Sequence, residues 1–257
     1  MITTLILAGG LGSRLGELTK TVPKPLIEIC GKPISLHLVE YLQRFDISNF
    51  IFAIGYKKEE FHKYFRNLFN NSQDIIFNSE FPNGKLIRNI YENSNFRLID
   101  TGMYNQTGSR IAQVFDLIEE DNILCTYGDG LANVNINSLI KKHNQNKSLI
   151  TLTAVKTPSR FGGLTIENDR VISFSEKKVI NNNWINGGFM IISREFRDKY
   201  LSANADCILE QLPLELAAKN KDLGFYKHNS FWQCMDTPRD HSYLEHLYQS
   251  NKFNKFT

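Results

Sequence analysis

The chain contains few cysteines, and their spacing builds no metal site. Four cysteines occur in 257 residues, and none forms a Cys-x-x-Cys pair or shows zinc-finger spacing. We therefore predict four reduced thiols that pack as small buried or half-buried side chains. The sequence also lacks a serine-elbow motif and the pattern H-E-x-x-H, and its six histidines show no spacing typical of metal ligands.

Long apolar runs and blocks of charge are lacking as well. No stretch approaches the ~18 apolar residues that a membrane span needs. The first apolar stretch is too short for a secretory signal and has no basic residues before it. The net charge is only +3, and the Lys and Arg residues are scattered rather than clustered as in nucleic-acid-binding proteins. We therefore expect a cytoplasmic protein that binds neither membranes nor nucleic acid.

Hydrophobic residues make up 42% of the chain, which is enough to bury a sizeable core. In the first half, short apolar runs alternate with helical patterns, and this order favours an α/β fold with a doubly wound, mostly parallel, Rossmann-like sheet and helices on both faces. A hairpin-rich second half predicts an antiparallel C-terminal elaboration. Since no linker interrupts the pattern, we expect one domain over 1–257. The predicted strands are Thr3–Leu7, Asn49–Gly55, Asp74–Asn78, Asn122–Tyr127, Leu149–Val155, Gly162–Ile166, Arg170–Glu176 and Trp184–Ile192. The predicted helices are Ile34–Phe45, Glu59–Phe69, Gly108–Leu117, Asn137–His143, Cys207–Asn220 and Ser242–Ser250.

A glycine-rich turn follows the first predicted strand. It begins with Gly9, Gly10 and Gly12 and continues into Ser13 and Arg14. Glycines let the backbone approach an anion closely, so strand, turn and helix in this order make a phosphate site. The turn matches neither the Rossmann G-x-G-x-x-G nor the Walker A loop.

Lys24 stands between two prolines shortly after this turn. The prolines restrict its backbone and could aim its ammonium group, while Arg14 offers a rigid fork of donors suited to phosphate oxygens. Glycine turns and Pro-Lys-Pro segments also occur in ordinary loops, but the two together favour phosphate binding.

Two aspartates follow apolar runs that read as strand ends. Asp129 lies in Tyr-Gly-Asp-Gly, and Asp236 follows Trp232 and Met235. Open α/β sheets bind ligands at the carboxyl ends of their strands, and Mg²⁺ prefers one or two carboxylates plus substrate phosphates. Either aspartate alone could instead be a turn residue or a helix N-cap.

These motifs together resemble the sugar-1-phosphate nucleotidyltransferase family, whose signature is Leu-Ala-Gly-Gly-x-Gly-[Ser/Thr]-Arg followed by Pro-Lys-Pro. The resemblance implies that Asp129 and Asp236 bind Mg²⁺ and that Arg14 and Lys24 act on phosphates in catalysis. The second half would bind the acceptor and complete the metal site, and the first 150 residues would bind the nucleotide. The implied nucleotide-binding residues are Leu7, Ala8, Gly9, Gly10, Gly12, Ser13, Arg14, Lys24, Thr101, Gly102, Arg110, Tyr127, Gly128 and Asp129. The implied acceptor-binding residues are Glu176, Lys177, Asn186 and Gly187, although Lys178 replaces a proline of the family pattern.

Further motifs over nearly the whole chain resemble the branch of the family that joins CTP to α-D-glucose 1-phosphate in surface polysaccharide biosynthesis. They include Thr107-Gly-Ser-Arg110 and Asn186-Gly-Gly-Phe189. The resemblance implies CTP as donor, CDP-glucose and pyrophosphate as products, and a homo-oligomer in which Arg110 could serve the site of a neighbouring subunit. Physical chemistry alone does not choose CTP over UTP or dTTP, since one backbone group can decide between the bases.

The acceptor remains open between glucose 1-phosphate, another sugar phosphate and a phosphorylated non-sugar. Where relatives have a Trp-Glu-x-Glu-Pro-Leu-like segment, Leu209 and Leu212 replace the tryptophan and the second glutamate. Loss of an aromatic wall and a polar contact can alter selectivity by orders of magnitude.

Two other classes of function are alternatives to nucleotidyl transfer. A nucleotide-sugar-binding regulatory subunit without catalysis should have lost some charged residues of the site. Every charged residue that the family resemblance assigns to the site is present in this chain. A metal-dependent glycosyltransferase usually carries Asp-x-Asp, whereas Asp129 is followed by Gly130 and Leu131.

Overall fold

The computed structural model of the chain describes residues 2–69, 85–88, 94–156, 163–167, 170–175 and 184–250. Over these ranges no helix is both long and apolar enough to span a bilayer. The strands are β1 (Thr3–Leu7), β2 (Glu28–Ile29), β3 (Lys32–Pro33), β4 (Asn49–Ile54), β5 (Lys85–Arg88), β6 (Asn95–Asp100), β7 (Asn122–Tyr127), β8 (Gly130–Ala132), β9 (Ile150–Lys156), β10 (Gly163–Glu167), β11 (Arg170–Ser175), β12 (Trp184–Ser193), β13 (Leu223–His228) and β14 (Trp232–Cys234). The helices are α1 (Ile34–Gln43), α2 (Lys58–Phe69), α3 (Thr107–Phe115), α4 (Ile136–Asn146), α5 (Arg194–Tyr200), α6 (Leu212–Lys219) and α7 (Pro238–Gln249).

One mixed sheet forms the centre of the described fold. Its strand order is β13-β9-β12-β7-β1-β4-β6-β5. All its neighbours pair in parallel except β12, which is antiparallel to β7 and β9, and β5, which is antiparallel to β6. The predicted mostly parallel sheet with added antiparallel strands is therefore confirmed.

The middle of the sheet is buried on both faces, as its continuous apolar runs require. All five residues of β1 are buried. Two clusters of buried side chains lie on its two sides, one containing Ile6 and Phe52 and the other containing Leu5 and Ile51. This alternation places neighbouring residues of each strand in different layers, so helices cover both faces.

Most of the predicted elements are present with small shifts at their ends. The helix predicted over Cys207–Asn220 begins only at Leu212, because Pro213 in its first turn starts a new helix rather than continuing one. The closing helix begins earlier than predicted, at Pro238, and Thr237 caps it. The strand predicted at Asp74–Asn78 lies outside the described residues. Sequence reasoning missed β6, in which Arg97 stands between apolar residues, and β13, whose last two residues are Lys227 and His228.

The central sheet and a short two-stranded ladder bring the predicted site motifs to one edge of the fold. The carboxyl ends of β1, β4, β6 and β7 lie together because these strands are parallel. A two-stranded antiparallel ladder of β8 and β14 follows, in which Gly130 pairs with Cys234. Since the ladder ends there, Asp129 and Asp236 lie just beyond it on the two neighbouring segments of the chain.

Candidate active site

The glycine turn is built around a buried arginine. Arg110 of α3 is 3% exposed, and its guanidinium donates to the carbonyl oxygens of Gly9 (2.9 Å) and Ile54 (3.2 Å) and to the hydroxyl of Thr101 (2.6 Å). A side chain on Gly9 would lie about 2.1 Å from the guanidinium. Glycine is therefore required at this position by close approach, and Arg110 fixes the turn against the end of β4.

Burial lowers the pKa of Arg110 to about 10, and the carboxylate of Asp100 opposes that shift. The guanidinium remains charged near neutral pH, so its hydrogen bonds to the carbonyls are charge-assisted. Within the chain, these contacts hold the guanidinium between the glycine turn, β4 and the loop that precedes α3. Arg110 also lines the cavity described below, so a contact with a bound nucleotide stays a prediction.

Gly12 turns the chain toward Arg14 and Lys24. Its φ of +64° is a left-handed conformation that favours glycine. A side chain there would also meet Thr19 at 3.0 Å and Lys24 at 3.2 Å. The turn continues into a short 3-10 helix, Ser13–Thr19, and Lys24 begins a second one between its two prolines.

Lys24 joins the two aspartates predicted to bind metal. Its ammonium nitrogen forms ion pairs with Asp129 Oδ2 and, at 2.6 Å, with Asp236 Oδ1. Because both carboxylates reach one nitrogen atom, they are close enough to share one ion. Burial alone would lower the pKa of Lys24, but Asp129 and Asp236 outweigh it and raise that pKa above its ordinary value.

Arg14 reaches one of these two carboxylates, that of Asp236, from the solvent side. Its Nη1 lies 3.1 Å from Asp236 Oδ2, and the side chain is 74% exposed. Lys24 therefore contacts the carboxylates from the buried side of the cleft, and Arg14 contacts Asp236 from its solvent-exposed rim.

The backbone around Asp236 is held by the N-terminus of α7. Thr237 is the N-cap and forms a capping box with Asp240. Asp240 Oδ2 accepts the backbone N–H groups of Asp236 (3.1 Å) and Thr237 (2.8 Å). Asp236 is thus not the helix cap, and the alternative that the sequence left open is wrong. Met235 N–H donates to the carbonyl oxygen of Asp129 at 2.9 Å, which ties the two aspartate segments together.

A cavity of about 240 Å³ lies above the ends of β1 and β7. Sequence reasoning missed Asn105, Gln106 and Thr107 among its walls, although the Thr107-Gly-Ser-Arg110 motif points to this segment. Of the predicted nucleotide residues, Thr101, Gly102 and Gly128 are not among the residues that line this cavity. Its lining residues are Leu7, Ala8, Gly9, Gly10, Gly12, Ser13, Arg14, Lys24, Pro25, Asn105, Gln106, Thr107, Arg110, Tyr127 and Asp129.

The predicted acceptor residues are placed only in part. Asn186 and Gly187 lie at the start of β12, where a bulge shifts the register against β9. Gly188, with a φ of +85°, packs against the ring of Tyr127, and a side chain there would lie about 2.6 Å from the ring. The strand therefore needs glycine to pass Tyr127. Glu176 and Lys177 lie outside the described residues.

The segment that departs from the family pattern places its two substituting leucines in different surroundings. Leu209 is fully buried in the core, and Leu212 is 62% exposed at the start of α6. Between them, Glu210 accepts hydrogen bonds from the hydroxyls of Tyr127 and Thr107. Sequence reasoning did not predict this contact, because 83 residues separate Glu210 from Tyr127.

The paired carboxylates fit Mg²⁺ better than a transition metal. Two hard oxygen donors converge on one point at Lys24, and substrate phosphates can supply further oxygens. Among the residues that the structure describes, no group of three or more His, Cys, Asp and Glu side chains could hold a metal ion. The site therefore suits a cation that arrives with a phosphorylated ligand.

Known proteins match the chain over nearly its full length. A family model described as nucleotidyl transferase matches residues 3–251. Glucose-1-phosphate cytidylyltransferase from Salmonella typhi is 39% identical, with 96% of both chains covered. D-glycero-alpha-D-manno-heptose 1-phosphate guanylyltransferase from Aneurinibacillus thermoaerophilus is 29% identical, with 74% of both covered. Among solved structures, HddC from Yersinia pseudotuberculosis matches with a TM-score of 0.67 and 23% identity, covering 96% of this chain and 100% of HddC, which supports the fold.

Proposed function

The chain belongs to the sugar-1-phosphate nucleotidyltransferase family, and from that premise we propose that it transfers CMP from CTP to α-D-glucose 1-phosphate. The products are CDP-glucose and pyrophosphate. The observation that carries the proposal is the 39% identity to a glucose-1-phosphate cytidylyltransferase over 96% of both chains. A guanylyltransferase is less similar, at 29% identity over 74% of both chains, which favours CTP as the donor.

The reaction forms one P–O bond and breaks another. A phosphate oxygen of the acceptor attacks the α-phosphorus of CTP, and the bond from that phosphorus to the β-phosphate's bridging oxygen breaks, so pyrophosphate leaves. A phosphate monoester is already largely dianionic near neutral pH, since its second pKa is about 6. No general base is needed, and positioning and charge neutralisation supply the catalysis.

The glycine turn and the two basic side chains provide that neutralisation. Gly9, Gly10 and Gly12 let backbone N–H groups approach the triphosphate, while Arg110 holds the turn rigid. Lys24 and Arg14 already face the aspartates and can move onto phosphate oxygens without leaving the cleft.

Asp129 and Asp236 would hold Mg²⁺, which when bound draws charge away from the phosphates as a Lewis acid. Asp240 keeps Asp236 in place through the backbone, so the two carboxylates stay paired. Asn186, together with Glu176 and Lys177, would bind the acceptor. We further propose that the protein acts in the cytoplasm as a homo-oligomer, in surface polysaccharide biosynthesis.

A matrix of substrates tests the proposal. Purified protein with Mg²⁺ is offered CTP, UTP, dTTP or GTP against glucose 1-phosphate, other hexose 1-phosphates and a phosphorylated polyol, and pyrophosphate release is measured. The proposal predicts the highest kcat/KM for CTP with glucose 1-phosphate. Preference for another base would contradict the donor, and preference for another acceptor would contradict the sugar. Binding of CDP-glucose without turnover of any pair would favour the regulatory-subunit alternative.

A further inference from the structure

Glu210 connects the two halves of the candidate site. It lies in the segment before α6, and its Oε2 accepts the hydroxyl of Thr107 at 2.6 Å. Its Oε1 accepts the hydroxyl of Tyr127, which stands at the end of β7 two residues before Asp129. Thr107 and Tyr127 both line the nucleotide cavity. A single carboxylate therefore spans the cavity wall from α3 to the sheet.

The position of Glu210 is set by the backbone around it. Leu209 N–H donates to the hydroxyl of Thr107 at 3.0 Å, and the buried side chain of Leu209 anchors the segment in the core. Ser109 N–H donates to the carbonyl oxygen of Cys207 at 3.1 Å. Gly108 leaves room for Cys207, whose sulfur would lie about 2.7 Å from a side chain there. The segment is thus fixed on the start of α3 without help from Glu210.

The hydrogen bonds beyond Tyr127 have only one possible direction. A carboxylate only accepts, so the Tyr127 hydroxyl donates its proton to Glu210. Burial and the charge of Glu210 raise the pKa of Tyr127, which keeps that proton in place. The Tyr127 oxygen then accepts from Asn186 Nδ2 at 3.4 Å. Gly188 N–H donates to Asn186 Oδ1 at 2.9 Å, so the orientation of this amide is fixed as well.

We propose that Glu210 is a positioning residue for the acceptor: through Tyr127 it orients Asn186, which presents its second N–H to an acceptor hydroxyl. The atom of the acceptor substrate that this N–H recognises must itself accept a hydrogen bond, as a sugar hydroxyl oxygen does. This inference rests on the proposed function, which assigns Asn186 to the acceptor. It adds a residue in the segment where the sequence departs from its relatives.

Removing the carboxylate tests the direction of this relay. In Glu210→Gln an amide faces two hydroxyls with one acceptor atom, so the Tyr127 hydroxyl can no longer be held as before. We expect the KM for the acceptor to rise about tenfold, the value of roughly one hydrogen bond. The KM for CTP and kcat should stay within about twofold, because Leu209 still holds Thr107. Glu215→Gln, an exposed glutamate on α6, is the matched control and should change nothing.

A double-mutant cycle separates this role from a merely structural one. Tyr127→Phe should raise the acceptor KM by a similar factor, and adding Glu210→Gln to it should raise that KM no further, since both changes break one relay. Independent, additive effects, equal changes in both KM values, or no change in Glu210→Gln would overturn the proposal. If the wild-type protein turned over no triphosphate and acceptor pair, the proposed function would fail and this inference with it. An active wild type with an unaffected Glu210→Gln would overturn the inference alone.

Discussion

Lys24 is the more buried of the two basic side chains that contact the paired aspartates. Only 12% of its side chain is exposed, against 74% for Arg14, and it contacts both aspartates. A lysine in that position neutralises two carboxylates that would otherwise repel each other at short range. Its charge therefore supports the fold around the site as well as the proposed chemistry.

Lys24→Met should remove that neutralisation. We expect the free energy of unfolding to fall by roughly 1–3 kcal/mol, less than the ~3–5 kcal/mol of fully buried pairs because both carboxylates keep some exposure. Chemical denaturation in EDTA measures this, and added Mg²⁺ should restore more stability to the variant than to the wild type. Turnover should fall at least a hundredfold.

Lys20→Met is the matched control, since the Lys20 side chain is 66% exposed and forms a surface ion pair with Glu17. It should keep both stability and turnover. Equal effects of the two substitutions would contradict the role assigned to Lys24.

At the level of elements, the N-terminus of α7 both caps the helix and holds the backbone of Asp236. Its capping box satisfies the first turn of the helix, and the same carboxylate, Asp240, holds the backbone of Asp236. The sequence signal for this arrangement is Thr237-Pro-Arg-Asp240, a capping residue followed three positions later by an acidic one.

Asp240→Ala should therefore affect both stability and catalysis. Loss of the Asp240 half of the capping box should cost about 1 kcal/mol in the free energy of unfolding, because Thr237 remains as the N-cap. Because Asp236 loses its support, kcat/KM should also fall about 10–100-fold, as for other groups that orient metal ligands. Thermal and chemical denaturation, with pyrophosphate release, measure the two effects.

Asn135→Ala provides the comparison for that variant. Asn135 caps α4 through Ser138 N–H and lies outside the proposed site. It should lose similar stability and keep full activity. If Asp240→Ala also kept full activity, the proposed support of Asp236 would be wrong.

Sequence reasoning predicted best the strands that lie in the buried middle of the sheet. The strand Thr3–Leu7 and the strand Asn122–Tyr127 have the predicted bounds, since both are continuous apolar runs in the middle of the sheet. The edge strand β13 was missed because its apolar pattern is short and ends at Lys227 and His228. Pro213 was included in a helix that it actually starts.

At the level of the whole molecule, the motifs of the site were predictable and its supporting contacts were not. Lys24, Asp129 and Asp236 stand in recognisable local patterns, and the structure brings them together. The contacts of Arg110 with Gly9 and of Glu210 with Tyr127 join residues 101 and 83 positions apart. No local pattern encodes such distances, because they depend on how the sheet and α3 pack.

Two buried histidines should make the stability of the whole molecule depend on pH. Burial lowers the pKa values of His37 and His143. His37 donates to the carbonyl oxygen of Ile29 at 2.9 Å, and His143 contacts the hydroxyl of Thr151 at 2.9 Å. As the pH falls through ~6.5, the unfolded chain binds protons before the folded one does, so the stability present above that pH is lost below it.

We therefore expect the urea midpoint to be lower at pH 5.5 than at pH 8. A variant with His37→Gln and His143→Gln should be less stable at pH 8 but should lose less on acidification. An equal loss in variant and wild type would mean that other groups cause the pH dependence.

The measurement that tests the account most directly is pyrophosphate release by Asp129→Asn and Asp236→Asn, with CTP, glucose 1-phosphate and Mg²⁺. Asp46→Asn is the control, since Asp46 is exposed at the end of α1 in a left-handed conformation that asparagine tolerates. We predict that each of the first two loses at least a thousandfold in kcat while its circular dichroism spectrum stays that of the wild type, and that the control keeps full activity. Wild-type turnover by both Asp129→Asn and Asp236→Asn would contradict the paired-carboxylate site.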